Sequence, residues 1–352
     1  MSIGNSVTSI GNDAFASCSG LTSINIPGSV TSIGNFIFNG CTSLESIVVE
    51  SGNSKYDSRD NCNAIIETAT NTLLVGCKNT TIPNSVTSIG EYAFYDHSGL
   101  TSINISGSVT SIGNSAFRGC SGLTSINISD SVTSIGDSAF YGCSGLASVE
   151  LPNSVTSIGG RAFYGCNSLA SVELPNSVTS IDIETFRGCS GLTSVVIPNS
   201  VTSINSQAFS ECRSLTSVVI PNSVKYIKYG AFSRCSGLTS VVIPNTSASI
   251  DDAAFSECSG LTSVVLPNSS IGEGAFLGCT NLGTITVYAT KAPYVRSNTF
   301  GSYTSNYTGR NNYDKGTNIL YVPSGATGYN ESYWASVLLD STKCGFTISY
   351  TL

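Results

Sequence analysis

The chain repeats itself every 23 residues, and this period limits its fold more than any other feature of the sequence. Residues 177–199 read SVTSIDIETFRGCSGLTSVVIPN, and residues 200–222 read SVTSINSQAFSECRSLTSVVIPN. One phenylalanine marks each of eleven units: Phe15, Phe38, Phe94, Phe117, Phe140, Phe163, Phe186, Phe209, Phe232, Phe255 and Phe276. A fixed period of this length is typical of a solenoid, in which each unit buries its apolar face only by stacking on its neighbours.

One unit is much longer than the others. Phe38 and Phe94 are 56 residues apart, which is 33 more than the period. Within this unit, residues 63–67 (NAIIE) and 72–76 (TLLVG) predict two strands around a short turn, and hence a β-hairpin insertion at about 50–80. Symmetric pairing about the turn places Cys62 opposite Cys77. A disulfide between them is geometrically possible, and two separate buried thiols are the alternative.

The apolar pattern within a unit predicts two strands. Leu215, Val218 and Ile220 alternate as in a strand with one buried face, and Pro221 then ends the strand at a corner. Residues 201–204 predict a second, shorter strand. All strands of each kind are expected to be parallel and in register, since equivalent residues lie over one another.

The segment between the short and the long strand has a different pattern. Ala208, Phe209 and Cys212 have the spacing of one helical turn, which predicts a 3₁₀ or short α turn. The residue that follows the short strand is usually glycine, as at Gly113 and Gly136. We expect a positive φ at that position.

The full unit, S-V-T-S-I-G-x-x-A-F-x-G-C-x-x-L-T-S-V-x-I-P-N, resembles the BspA-like leucine-rich repeat family over residues 3–287. The resemblance implies a β-rich solenoid of the leucine-rich-repeat type with a parallel β-sheet on its concave side. It also implies a surface or secreted interaction role, since members occur on surfaces of anaerobic bacteria and some protists and include adhesins. Ser200 and Ser223 stand where a leucine-rich repeat usually has a buried asparagine, so the hydrogen bonding of that turn must differ.

The repeat weakens toward the C-terminus. We predict a solenoid over 1–287 and, over 288–352, a degenerate last repeat with a C-terminal cap. The cap would contain a strand at 319–323, a short amphipathic helix at 329–339 and a final strand at 346–350, after a polar insertion at 301–318. No comparable cap precedes Ser6, which suggests a fragment of a longer protein.

Charge and composition argue against several classes of partner. The chain has 15 Lys and Arg against 22 Asp and Glu, giving a net charge of −7, and it has no basic cluster. Nucleic acid is therefore not an expected partner. No run of 18 apolar residues occurs, so no membrane insertion is expected. The N-terminus lacks the basic start and apolar core of a signal peptide.

The residues offer little for catalysis. His97 is the only histidine, and the cysteines lack the paired spacing of a zinc site. Ten cysteines share one repeat position, which predicts a ladder of buried, reduced thiols, and His97 replaces cysteine in its own unit. We predict no enzyme activity, no catalytic residue, no metal and no cofactor.

The residue between the two aliphatics at the end of each long strand should face outward. The candidate partner-binding residues in this series are Glu150, Glu173, Val196, Val219, Val242 and Val265. The alternative is that valine simply suits strands and that the repeats were copied recently. A second candidate is the residue after each phenylalanine, as at Tyr95, Arg118, Tyr141 and Tyr164, because tyrosine and arginine often anchor interfaces.

These observations predict a non-enzymatic cell-surface or secreted module that binds a protein along the solenoid, with a host matrix protein as one candidate ligand. The serines that flank the candidate valines, such as Ser194 and Ser217, make a hydroxylated surface that could also meet glycans. The alternatives are therefore a glycan-binding surface and a structural spacer.

Overall fold

The computed structural model describes residues 2–296, 299–300, 318–330, 334 and 346–351. These fall into two compact units, Met1–Leu169 (unit 1) and Ala170–Leu352 (unit 2). The domain boundary at 287 stays a prediction. Most of the polar insertion at 301–318 and of the helix at 329–339 lies outside the described residues.

Unit 1 is built from coils that each contribute one short and one long strand. The short strands are β1 (Ser9–Ile10), β3 (Ser32–Ile33), β8 (Ser88–Ile89), β10 (Ser111–Ile112), β12 (Ser134–Ile135) and β14 (Ser157–Ile158). The long strands are β2 (Ser23–Ile26), β4 (Ser46–Val49), β9 (Ser102–Asn104), β11 (Ser125–Asn127) and β13 (Ser148–Val149). The longer unit adds β5 (Tyr56–Asp57), a 3₁₀ turn (Arg59–Asn61), β6 (Ile65–Glu67) and β7 (Thr72–Val75).

Unit 2 has the same plan. Its long strands are β15 (Ser171–Glu173), β17 (Ser194–Val196), β19 (Ser217–Val219), β21 (Ser240–Val242), β23 (Ser263–Leu266) and β24 (Thr284–Val287). Its short strands are β16 (Ser180–Ile181), β18 (Ser203–Ile204), β20 (Tyr226–Ile227) and β22 (Ser249–Ile250). Two further strands, β25 (Ile319–Pro323) and β26 (Thr347–Thr351), pair in parallel and extend the sheet beyond β24. Both strands predicted for the cap are therefore present.

The parallel, in-register stacking predicted from the period is confirmed within each unit. Ser111 pairs with Ser134 in unit 1, and Ser217 pairs with Ser240 in unit 2, each 23 residues further on. Equivalent side chains therefore form ladders along each stack.

Stacked phenylalanines form the centre of the core. In unit 1 the rings of Phe94, Phe117, Phe140 and Phe163 follow one another with centroids 4.9–5.3 Å apart. In unit 2 the ladder runs from Phe186 through Phe209, Phe232, Phe255 and Phe276 to Phe300 at 5.2–5.5 Å. Trp334 packs on Phe300 at 5.7 Å and is fully buried, so this side chain covers the end of the ladder.

The segment that carries the phenylalanine is a run of turns instead of a helix. The predicted i→i+3 hydrogen bonds are present, for example from Cys212 N–H to Phe209 O at 3.2 Å. However, Gln207 and Glu211 have φ of 57° and 65°, which breaks the helical sequence of dihedral angles. Their N–H groups donate to carbonyls of the next coil, Gln207 to Tyr229 and Glu211 to Ser233. Hydrogen bonding between coils therefore determines this conformation.

The prediction of a positive φ after the short strand is wrong. In this segment the positive φ falls two residues later, as at Ser115 (52°) and Ser138 (55°). Glycine instead permits close approach between coils, because a β-carbon at Gly113 would lie 2.8 Å from the backbone nitrogen of Glu91.

A serine ladder replaces the usual asparagine ladder. The hydroxyl of Ser223 donates to Val201 O at 2.7 Å, and that of Ser131 donates to Val109 O at 2.6 Å. Asn245 makes the equivalent bond in its own coil, to Val224 O at 2.9 Å. Ser223 and Ser131 thus still satisfy a carbonyl of the preceding coil, whereas the buried hydroxyl of Ser200 has no hydrogen-bond partner among the described residues.

The insertion contains the predicted hairpin with one correction. Glu67 pairs with Thr72 and Ile66 with Leu73, as symmetric pairing requires, but Ile65 pairs with Val75 because the register shifts. This shift removes the symmetric opposition of Cys62 and Cys77. Both are free, buried thiols, and they contact different carbonyls, Ala64 O at 3.9 Å and Asn63 O at 3.2 Å.

Candidate interaction surface

Successive side chains of a strand point to opposite faces of the sheet, and this alternation defines the outward face of the long strands. In β19 the side chain of Val218 is buried (6% exposed), while the neighbouring Val219 is 79% exposed. Val196 and Val242 are also more than half exposed, at 56% and 52%. Single exposed apolar side chains are common on protein surfaces, but a contiguous exposed apolar patch is not, and these valines do not belong to the core.

In unit 2 the register places the candidate residues next to one another. Val219 pairs with Val242, and Val242 pairs with the half-buried Val265. Glu173, which is exposed, pairs with Val196 in the adjoining two-stranded sheet. We call the residues Glu173, Val196, Val219, Val242 and Val265 the valine face.

Glu150 belongs to unit 1 and directly follows β13, where it is exposed. Apart from Val48, which is 47% exposed, the outward face of unit 1 is polar, and some of its side chains pair with one another. Asn127 donates its amide to Asn104 at 2.7 Å, and Asn25 donates to the Glu50 carboxylate at 2.9 Å. Valine and asparagine at the same repeat position thus give the two units different outward chemistry.

The residues that follow each phenylalanine are occupied by contacts with one another. Arg118 lies over the Tyr141 ring at 4.3 Å, and Tyr141 stacks on Tyr164 at 4.5 Å. In unit 2, Arg187 forms ion pairs with Glu184 at 2.6 Å and Glu211 at 3.2 Å. These side chains are half-buried and stabilise the stack. From the sequence alone, this structural role could not be distinguished from a role in an exposed interface.

The thiols of the cysteine ladder have low reactivity. Eight of these thiols donate to a phenylalanine carbonyl of the preceding coil, as Cys143 does to Phe117 O at 3.0 Å. Burial raises the pKa of Cys143 to about 12 and that of Cys62 to about 11. Thiols with raised pKa values stay protonated and are poor nucleophiles and metal ligands at neutral pH.

His97 is equally unsuited to general acid–base work near neutral pH. The ring is 3% exposed and hydrogen-bonds to the backbone of Gly76. Burial lowers its pKa to about 4, so the imidazole is neutral.

Over the part of the chain that the structure describes, no three His, Cys, Asp or Glu side chains are placed to hold a metal ion together. Among the same residues, no helix has the length and apolar character to cross a membrane.

Coils with one long and one short parallel strand, stacked around an aliphatic and phenylalanine core, define a leucine-rich repeat protein. The family model described as "BspA type leucine rich repeat region (6 copies)" matches residues 1–68, 65–193 and 179–306. These matches cover most of the chain, and the chain belongs to the BspA-type leucine-rich repeat family. A search of curated proteins found no match.

Solved bacterial structures are similar to the chain. A leucine-rich repeat protein from Eubacterium ventriosum is 26% identical with a TM-score of 0.55, over 79% of this chain and 64% of that one. The chain thus spans less than two thirds of that protein. A leucine-rich cell surface protein from Faecalibacterium prausnitzii is 26% identical with a TM-score of 0.51, over 82% of this chain and 87% of that one.

Proposed function

We propose that the chain is a non-enzymatic cell-surface or secreted module that binds a protein partner through the valine face. The observation that carries the proposal is the exposure of Val196, Val219 and Val242 at equivalent positions of three successive long strands. Contiguous exposed apolar side chains mark interaction sites on soluble proteins. The similarity to a protein named as a cell surface protein supports the location.

The chemistry of the valine face indicates the kind of partner. A β-sheet surface of β-branched side chains is flat and rigid, so it suits an equally flat apolar patch. Glu173 adds a carboxylate beside Val196, which favours a basic group on the partner near that end. Exposed serines flank the valines, as at Ser217 and Ser240, and would form the polar rim of such an interface.

A binding panel of host matrix proteins and glycans tests the proposal. We expect the double variant Val219→Asp with Val242→Asp to lose at least tenfold in affinity for the ligand that the unmodified chain binds. The double variant Asn199→Asp with Asn222→Asp is the matched control, because it adds the same charge at exposed positions outside the valine face.

A folded Val219→Asp, Val242→Asp variant that binds as tightly as the unmodified chain would refute a role for the valine face. Loss of a glycan ligand instead of a protein ligand would support the glycan-binding alternative. An unmodified chain that binds nothing in the panel would favour the spacer.

A further inference from the structure

In unit 1 the long insertion adds an incomplete coil between the coils of Phe38 and Phe94. Strand β7 pairs with β8 in parallel, Thr72 with Ser88 and Leu73 with Ile89, as one short strand pairs with the next. Gly76 N–H then donates to Ala93 O at 2.8 Å, just as Phe94 N–H donates to Ala116 O at 2.7 Å. Gly76 therefore takes the place of a phenylalanine, and a β-carbon there would collide with the Phe94 ring.

Beyond the other end of turn segment 91–96, away from β7 and β8, the coil of Phe94 lies directly on the coil of Phe38. Gly99 packs against the Thr42 carbonyl in the same way as Gly122 packs against the Ser98 carbonyl one coil later. Strands β7, β6 and β5 follow β8 in the sheet, and Tyr56 of β5 hydrogen-bonds to the backbone of Ile33. The turn segments 35–40 and 91–96 therefore diverge from the Gly99 side toward β7 and enclose a wedge.

A cavity of about 90 Å³ occupies the wedge. Its lining includes Phe36, Phe38, Leu74, Val75, Tyr92 and Tyr95. Half-buried rings meet beside it, with Phe36 centred 4.3 Å from Tyr92 and 4.9 Å from Tyr95. His97 also lines the cavity, and its bond to Gly76 ties the incomplete coil to the next one.

The two walls of the wedge carry complementary backbone groups. In the next pair of coils, the N–H groups of Tyr92, Phe94 and Asp96 donate to the following coil at 2.7–3.1 Å. Their equivalents in the wedge are the N–H groups of Phe36, Phe38 and Gly40, and none of the three has an acceptor among the described residues. On the opposite wall, the carbonyls of Glu91 and Tyr95 receive no donor from that part of the chain.

We propose that this wedge binds a short peptide segment of a partner protein, which enters between the two turn segments. A polypeptide backbone offers alternating acceptors and donors, so it can pair with the N–H groups on one wall and the carbonyls on the other. Pairing is favoured because a buried backbone N–H such as that of Phe38 is unfavourable without a partner. A cavity of this size, with Phe38, Leu74 and Val75 in its lining, takes one small aliphatic side chain of the segment. The site is separate from the valine face.

Hydrogen–deuterium exchange of the full chain tests the proposal with a defined probe. The probe is the capped hexapeptide Asn-Ser-Ala-Ala-Arg-Gly, which is the turn sequence 114–119 with Phe117→Ala, because the Phe94 ring already fills the place of that ring. We expect segment 35–40 to exchange faster than segment 91–96 in the free chain. Saturating peptide should slow segment 35–40 at least tenfold and leave segment 91–96 unchanged.

Two controls make the result decisive. A peptide N-methylated at alternate residues keeps its side chains but cannot pair its backbone, and it should have no effect. Val75→Trp fills the cavity and should abolish the effect of the peptide, while the Val219→Asp, Val242→Asp variant should keep it. The proposal is overturned if the peptide leaves segment 35–40 unchanged or if the N-methylated peptide protects it equally. It is also overturned if the folded Val75→Trp chain still responds to the peptide.

Discussion

At the scale of single residues, the repeat position that holds cysteine has two functions. Cys212 is fully buried and fills a small space, as its position beside the phenylalanine predicts. Its thiol also donates to Phe186 O at 3.2 Å, so it satisfies a carbonyl of the preceding coil. His97 stands at this position in the coil of Phe94, one of the two coils that border the wedge, and its longer side chain reaches the backbone of Gly76.

The buried imidazole of His97 predicts a pH dependence of stability. Its pKa of about 4 in the folded chain lies below the value of about 6.5 expected after unfolding, so unfolding takes up a proton between these values. The contribution is complete above about pH 6.5 and is lost as the pH falls toward 4. We expect a loss of about 3 kcal/mol in the free energy of unfolding between pH 7 and pH 4.

Urea unfolding followed by circular dichroism at pH 7, 5.5 and 4 measures this loss. His97→Gln is the matched control, since it removes the titration while every carboxylate stays in place. A variant with the same pH dependence as the unmodified chain would show that His97 does not cause it.

At the scale of elements, the phenylalanine ladder joins successive coils through the centre of the core. Inner rings stack on both faces at about 5.2 Å with nearly parallel planes, an offset arrangement that aromatic rings favour. The first ring, Phe15, is half-buried, and its one ring contact among the described residues is with Phe38, at 5.7 Å and an angle of 24°. The contribution of a ring to the free energy of unfolding should therefore depend on its place in the stack.

Truncation of an inner and an outer ring tests this dependence. Phe209→Ala leaves a cavity between Phe186 and Phe232 and should cost about 3–5 kcal/mol. Phe15→Ala should cost less than half as much, because that ring is partly in water before unfolding. Urea unfolding of both variants provides the comparison, and equal losses would contradict a dependence on the place of the ring in the stack.

At the scale of the whole molecule, the chain relies on stacking and not on covalent links. Twelve of its thirteen cysteines lie in the described residues; all twelve are free, and only Cys18 among them is exposed. Each buried thiol is enclosed by the coils on either side. The reactivity of these thiols therefore shows whether neighbouring coils stay packed against each other.

Titration with an aromatic disulfide reagent checks the state of the thiols. In a Cys344→Ser chain, which removes the remaining cysteine, we expect one thiol to react rapidly in the native state and twelve after unfolding without reductant. Ten after unfolding would indicate a disulfide, and Cys62 with Cys77 would be the first pair to examine. Several fast thiols in the native state would instead show that the stack opens.

The sequence was sufficient for the strand register and for the alternation of buried and exposed side chains. The period determined the parallel register, and the alternation at Val218 and Val219 determined which side chain is buried and which is exposed. These features depend on contacts between equivalent residues, so one unit contains the information for all. The candidate residues of the valine face were found for the same reason, although their role as a binding site remains a prediction.

Only the tertiary structure decided the features that depend on contacts between unlike residues. The positive φ of Gln207, the serine hydrogen bonds and the register shift at Ile65 result from neighbouring coils, and no residue pattern within one unit specifies them. The wedge beside Gly76 is the clearest case. It exists because the insertion adds strands on one side of the stack and none on the other, which becomes visible only once the coils are placed together.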